Sequence, residues 1–231
     1  MRAISWRRRL PAAVALLAGA MAAHAGGHFE VDDAGTLNAG QCQVELWGGH
    51  GRSTGVNFFH VGPSCGVGQV ELGLNWDYAK TDPPANFLGP QVKWTFFGRE
   101  ADAPLSAAVS AGPQYDVRNN GRWGGQTLLA LSWQVAAPLQ LNANLGTDWL
   151  PVSGERLSRG GVQVQWAVHP EFTLIAERNH SFSQWGTRVG FSWQVHPNTS
   201  IDFSVARLGL AGGETVYTVG LNQVFDLPGK R

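Results

Sequence analysis

Apolar and polar side chains alternate with period two over most of this chain. Between 69 and 78, Val70, Leu72, Leu74, Trp76 and Tyr78 fall on one face, and Glu71, Gly73, Asn75 and Asp77 on the other. Between 139 and 149 the apolar face is Leu139, Leu141, Ala143, Leu145 and Trp149, opposite Gln140, Asn142, Asn144, Gly146 and Asp148. Segments 105–116, 123–135, 162–169 and 185–195 repeat the pattern, and 41–47, 56–64, 88–97, 172–179, 199–208 and 215–225 carry it less regularly. Alternation of this kind marks β-strands buried differently on their two faces. The pattern predicts twelve strands, with ten as the second choice.

The two faces decide which kind of barrel this is. A soluble barrel turns its bulky apolar side chains inward. Here one face holds Trp, Phe, Leu and Val, while the other is mostly Gly, Ser, Ala, Asn and Gln. Small polar residues suit a crowded wet interior, and bulky apolar ones suit acyl chains. The expected fold is therefore all-β, a transmembrane antiparallel up-and-down β-barrel.

A repeated turn supports this. Residues 133–138, 166–170 and 193–197 each close a strand on Trp, make a short Pro-containing turn and start the next strand, and 94–104 is a longer version. Proline ends a ladder without disrupting it. Trp94, Trp133, Trp166 and Trp193 at matching heights predict an aromatic girdle on the periplasmic side. The opposite connections are short, which leaves little room for a large surface domain.

The N-terminus sets the compartment. Arg2, Arg7, Arg8 and Arg9 precede an apolar stretch ending at Ala23-His24-Ala25, the three-part pattern of a cleaved secretory signal. A signal anchor is the rival reading, but Pro11 and Gly19 interrupt a stretch short of the roughly 20 residues that span a bilayer. Cleavage after Ala25 removes four of 17 basic residues, leaving 13 against 17 acidic, a net of −4. That excludes a nucleic-acid partner. The expected organisation is a signal at 1–25, a periplasmic or lumenal segment at 26–38, the barrel at 39–226 and a tail at 227–231. Its partners would be outer-membrane lipid, the barrel-assembly machinery and an unspecified small solute.

Parity turns Glu45, Glu71, Asp77, Lys93, Asp116, Asp148, Glu177, Arg188 and Asp202 toward the lumen. Loop centring places Glu71 opposite Lys93 and Glu177 opposite Arg188, pairs that either neutralise charge or tune selectivity. Glu45, Asp77, Asp116, Asp148 and Asp202 find no inward basic partner at this stage, so an open lumen would prefer cations. Cys42 and Cys65 fall on outward faces of neighbouring strands, where an oxidising compartment predicts a disulfide. No metal cluster or cofactor motif is apparent. Glu177, His180 and Ser181 supply the residue types of a serine hydrolase, but in consecutive positions and without a nucleophile elbow.

The segment Phe29-Glu30-Val31-Asp32-Asp33-Ala34-Gly35-Thr36-Leu37 and the closing run 202–210 with 217–221 resemble a family of outer-membrane barrels named after the meta-cleavage phenol-degradation pathway. Val31 stands where that family usually has Thr. The resemblance implies a barrel associated with transport of small or hydrophobic compounds, and no catalytic residues. Within the motif Asp32, Asp33, Gly35 and Thr36, the two aspartates would then anchor the N-terminal segment inside the lumen or cap its turn, with a cation site as the remaining alternative. Phe225 is expected to serve as the last-strand assembly signal. Three functions stand open: a passive channel, a closed structural barrel and a lipid-modifying enzyme.

Overall fold

The computed structural model describes residues 28–100, 102–118, 121–151, 153–209 and 213–228. The signal segment 1–25 and its cleavage point lie outside the described residues, as do 229–231 of the tail.

Twelve strands run in sequence: β1 Gln41–Gly51, β2 Asn57–Val67, β3 Val70–Ala79, β4 Ala85–Phe97, β5 Leu105–Asp116, β6 Trp123–Ala136, β7 Leu139–Trp149, β8 Arg156–His169, β9 Phe172–Ser181, β10 Gln184–His196, β11 Thr199–Leu208 and β12 Thr215–Asp226. Each pairs antiparallel with its neighbours in sequence, and β1 pairs with β12 to close the barrel. Closure removes both sheet edges. The even count brings both ends of the barrel chain to one rim, where Gln41 faces Asp226.

The faces fall as the alternation predicts. Leu72, Leu74, Leu145, Val162, Val189 and Val219 point outward and are exposed, whereas Asn142, Gln163, Ser204 and Thr218 are buried inside. An exposed apolar band running round the whole barrel is far larger than soluble monomers tolerate. That is the face pattern of a membrane barrel, the reverse of a soluble one.

Trp94, Trp133, Trp166 and Trp193 are all outward and exposed, near the rim where β1 starts and β12 ends. Their repeated motif has a backbone cause beyond the proline. A register shift interrupts the pairing at Thr95/Phe97, Gln134/Ala136, Ala167/His169 and Gln194/His196. Each of β4, β6, β8 and β10 thus ends in a bulge, which bends the strand into its turn. Gln134 and Gln194 donate side-chain hydrogen bonds to the carbonyls of Ala136 and His196, both at 2.7 Å, bracing two of these bulges.

One boundary matters for function. The pattern starts β8 at Val162, but the strand starts at Arg156. Its outward positions there are Arg156, Ser158 and Gly160, so no apolar stripe announces the first turn of pairing. The correction brings Arg159 into the wall, facing inward.

Candidate lumenal site

The residues that precede β1 form a strap inside the barrel. At the terminal rim Gly40 donates its amide hydrogen bond to the Gly66 carbonyl at 2.9 Å, and Ala39 makes a parallel bridge with Gly66. A Cβ on Gly66 would stand 2.2 Å from the Asn38 carbonyl oxygen, so glycine alone lets the strap turn in here. From this point the chain crosses the lumen. Val31, Ala34 and Leu37 are almost completely buried.

The strap is held by wall side chains that substitute for a neighbouring strand. Leu37 N–H donates to Glu71 Oε2 at 3.0 Å, and Ala34 N–H to Ser132 Oγ at 2.8 Å. Thr95 Oγ1 donates to the Ala34 carbonyl at 2.6 Å and lies 3.1 Å from Thr36 Oγ1, whose hydroxyl can donate to it. Asn144 accepts from Asp32 N–H at 2.6 Å and donates back to the Asp32 carbonyl at 2.8 Å. Gln163 Nε2 donates to the Val31 carbonyl at 3.0 Å, while the Glu177 carboxylate accepts from the amides of Glu30 and Val31, both at 3.1 Å. Buried backbone groups are costly when unpaired, so these contacts are what allow an irregular segment to sit at this depth. Ala34 packs on Ala108 and Ala130, and a Cβ on Gly161 would come within 2.7 Å of Val31.

Ion pairs reinforce the strap. Lys93 Nζ lies 2.9 Å from Asp32 and 3.6 Å from Asp33. Arg159 bridges Glu30 and Asp148, each at 3.0 Å. Arg188 Nε lies 3.2 Å from Glu177. Asp33 Oδ1 also accepts from the Gly35 N–H at 2.7 Å, capping the turn.

All nine lumen-facing charges lie on inward positions. The registers Glu71 opposite Lys93 and Glu177 opposite Arg188 are both present. Only the second carries its ion pair as expected. Lys93 turns to the strap, and Glu71 instead accepts from Leu37 N–H and from Ser64 Oγ at 2.8 Å. Among the acidic residues for which no basic partner was expected, Asp148 meets Arg159, and Asp77 meets His60 Nδ1 at 2.7 Å. Asp202 accepts from Asn222 Nδ2, Asp116 from Arg118 N–H at 3.0 Å, and Glu45 from Gln43 Nε2 at 3.3 Å. Arg159, Glu30 and His60 were missed; extending the inward parity of Gln165 and Gln163 back two more steps reaches Arg159.

Cys42 and Cys65 face each other across β1 and β2 and are joined by a disulfide at the terminal rim. The hydrolase constellation is not assembled. Ser181 lines the lumen, His180 lies on the outer face against Trp185, and Glu177 is occupied by Arg188 and the strap.

Beside the strap lies a cavity of about 630 Å³. On the β1 to β4 side its lining descends to Gln43, Ser64, Glu71 and Lys93, close to the terminal rim. On the β6 to β10 side it stops at Leu128, Asp148, Arg159 and Arg188, because the strap covers the wall below. At the strap's inner end the His28 imidazole is buried against Gly220 of β12.

A closed twelve-stranded barrel with an apolar exterior and a polar interior defines a porin-like outer-membrane architecture. Solved structures agree on the fold. The KdgM porin superposes with a TM-score of 0.64 at 10% identity, covering 79% of this chain and 99% of that one. The NanC porin gives 0.61 at 14%, covering 78% and 98%. The COG4313 outer membrane channel from Pseudomonas putida F1 gives 0.62 at 12%, covering 84% and 98%. The chain belongs to the family described as Uncharacterised conserved protein UCP029691, whose model matches residues 12–223. No curated protein matches it. The resemblance to the phenol-degradation family is met at the level of an outer-membrane barrel, since none of these matches bears that pathway's name.

Proposed function

We propose that this protein is a passive channel in the outer membrane of a Gram-negative bacterium, narrowed from within by its own N-terminal strap. The observation that carries the reading is the cavity's asymmetry. Its lining reaches lower on the β1 to β4 wall, to Gln43, Ser64 and Glu71, than on the β6 to β10 wall, where the strap covers Ser132, Asn144 and Gln163. Signal cleavage after Ala25, insertion among outer-membrane lipids and recognition of Phe225 by the assembly machinery complete the proposal. Among the described residues, Glu177, His180 and Ser181 do not converge on one site.

Charge narrows the solute. The descending wall presents Glu45, Glu71 and Asp77, the strap adds Asp32 and Asp33, and Lys93 is the counter-charge among them. Small cations and small neutral compounds fit such a lining. One KdgM structure is a complex with disordered oligogalacturonate. A polyanion of that kind would meet repulsion here. The phenol-pathway resemblance would favour small hydrophobic compounds, and the aromatic mouth at Trp47, Phe58 and Phe87 is compatible with them.

Planar-bilayer recording of the purified mature protein tests this. Discrete, cation-preferring steps that grow when residues 26–38 are deleted are expected. Absence of conductance above leak in both forms would sink the channel reading and leave the closed structural barrel, which the dense bonding of the strap favours.

A further inference from the structure

The outer face of β8 to β12 changes character between two neighbouring rows of paired residues. Val164, Ala176, Val189, Val205 and Tyr217 form one row, apolar or aromatic throughout. One step further from the terminal rim the row is Val162, Arg178, Thr187, Arg207 and Thr215. The outward faces of β1 to β7 carry no arginine or lysine, and near the same end they present Phe59, Trp76, Tyr78, Tyr115 and Trp123. The positive charge of the lipid-facing surface is thus gathered on one side.

Both guanidiniums of this row are held in place. Arg178 Nη1 donates to Thr187 Oγ1 at 2.6 Å, and its guanidinium lies 5.0 Å from the centre of the Trp185 ring. Arg207 Nη1 donates to Thr215 Oγ1 at 2.9 Å. Among the described residues neither meets a carboxylate. Glu214, beside Thr215, is engaged by the amides of Ser53, Thr54 and Thr215. One threonine oxygen uses only part of a guanidinium's fork of N–H donors, and that fork matches phosphate oxygens. β9 and β11 are two strand spacings apart, about 10 Å, so both side chains can reach one head group. A lipid-facing arginine is costly at mid-bilayer and tolerated at the interface, where this row stands at the edge of the apolar band.

The rim involved decides the source of phosphate. It is the one opposite Gln41 and Asp226, and it faces outward from the cell if the barrel ends are periplasmic. The outer leaflet of a Gram-negative outer membrane is a phosphorylated glycolipid. We propose that the β9 to β12 face binds one molecule of that glycolipid, with Arg178 and Arg207 on its phosphates, threonine hydroxyls near its sugars and the row from Val164 to Tyr217 against its acyl chains. The proposal rests on the outer-membrane placement and not on conduction, so a barrel that does not conduct can still bind the lipid.

The probe is lipid A bearing its phosphates, added to lipid-stripped protein in mild detergent and followed by native mass spectrometry. One retained lipid per barrel is expected. Arg178→Gln and Arg207→Gln should each weaken retention roughly tenfold, the scale of a lost hydrogen bond to a charged group. Arg156→Gln, further out on β8 and over Trp149, should leave it unchanged. Lipid A stripped of phosphate should bind the wild type as weakly as intact lipid A binds the double variant, a comparison that needs no altered protein. The variants should keep the heat-resistant folded form on gels. Equal retention by the folded double variant, or of the dephosphorylated lipid by the wild type, would overturn the proposal. Phosphatidylglycerol held as tightly as lipid A would also overturn it, because the face would then take any lipid phosphate. Recovery of the protein outside the outer membrane would instead overturn the placement beneath it.

Discussion

Two halves of the lumen wall solve the same problem in different ways. Both carry a polar inward face that must be satisfied. On β1 to β4 the side chains above the strap bond across strands to one another: Ser64 to Glu71, His60 to Asp77, and Asn75 to Gln91 at 2.6 Å. Only Glu71, Lys93 and Thr95 at the lower end also hold the strap. On β6 to β10 successive register pairs bring Ser132, Asn142, Gln163, Glu177 and Arg188 into one belt. Ser132, Gln163 and Glu177 in that belt, with neighbouring Asn144, reach out to the strap's backbone. Where the wall satisfies itself, the cavity stands open beside it. A wall whose acceptors and donors are arranged in a row recruits a segment to cover it.

The largest effect should come from breaking the belt at Glu177. It accepts two strap amides and pairs with Arg188, and its side chain is fully buried. Glu177→Ala leaves those amides and a buried guanidinium without their partner. Removing one member of a buried pair costs about 3–5 kcal/mol. The strap, held by side-chain hydrogen bonds and ion pairs rather than by a strand ladder, should detach before the barrel opens. Expected outcomes are a larger single-channel conductance and new protease cleavage within 28–38, with the heat-resistant folded form kept on gels. A variant that conducts and resists protease like the wild type would show that the belt does not hold the strap.

Next comes Lys93, where the two halves meet. Its ammonium is nearly buried, while Asp32 is about one-third exposed, so the loss is smaller. Lys93→Met should weaken the strap by about 1.5–3 kcal/mol, the range for a hydrogen bond to a charged group. It also removes the counter-charge from the passage. The reversal potential in a salt gradient should therefore move further toward that of a perfectly cation-selective pore. An unchanged potential would mean that ions do not pass this wall.

The difference between these halves was only partly legible in the sequence. Alternation gave twelve strands, their inward charges and the Cys42 to Cys65 pairing, because those depend on parity alone. Parity also set Glu71 opposite Lys93, but cross-strand register says nothing about a third segment competing for the same ammonium. Glu177 illustrates the limit well. Its cross-strand partner was readable, whereas its two strap amides come from residues about 146 positions away. Arg159 was lost because glycine and serine replaced the outward apolar stripe there. The strap's aspartates were singled out through a motif, yet their partners needed the closed barrel.

The smallest effect belongs at the opposite rim, which controls for general loosening. Glu214, in the connection before β12, accepts from the amides of Ser53 and Thr54, both at 2.8 Å, and ties it to the connection after β1. The Ser53 amide bond is the main cause that lowers its pKa from the ordinary carboxylate value to about 2. A depressed pKa means the contact contributes fully above the unfolded value and is lost as pH falls toward 2. The carboxylate is fully exposed, so the contribution to barrel stability should be near zero. Glu214→Gln should raise amide hydrogen exchange at Ser53 and Thr54 at neutral pH and leave conductance unchanged. In the wild type the same exchange should rise only near pH 2. If Glu214→Gln enlarged the conductance as Glu177→Ala does, loosening anywhere in the barrel would open the lumen, and the contrast between the two walls would lose its meaning.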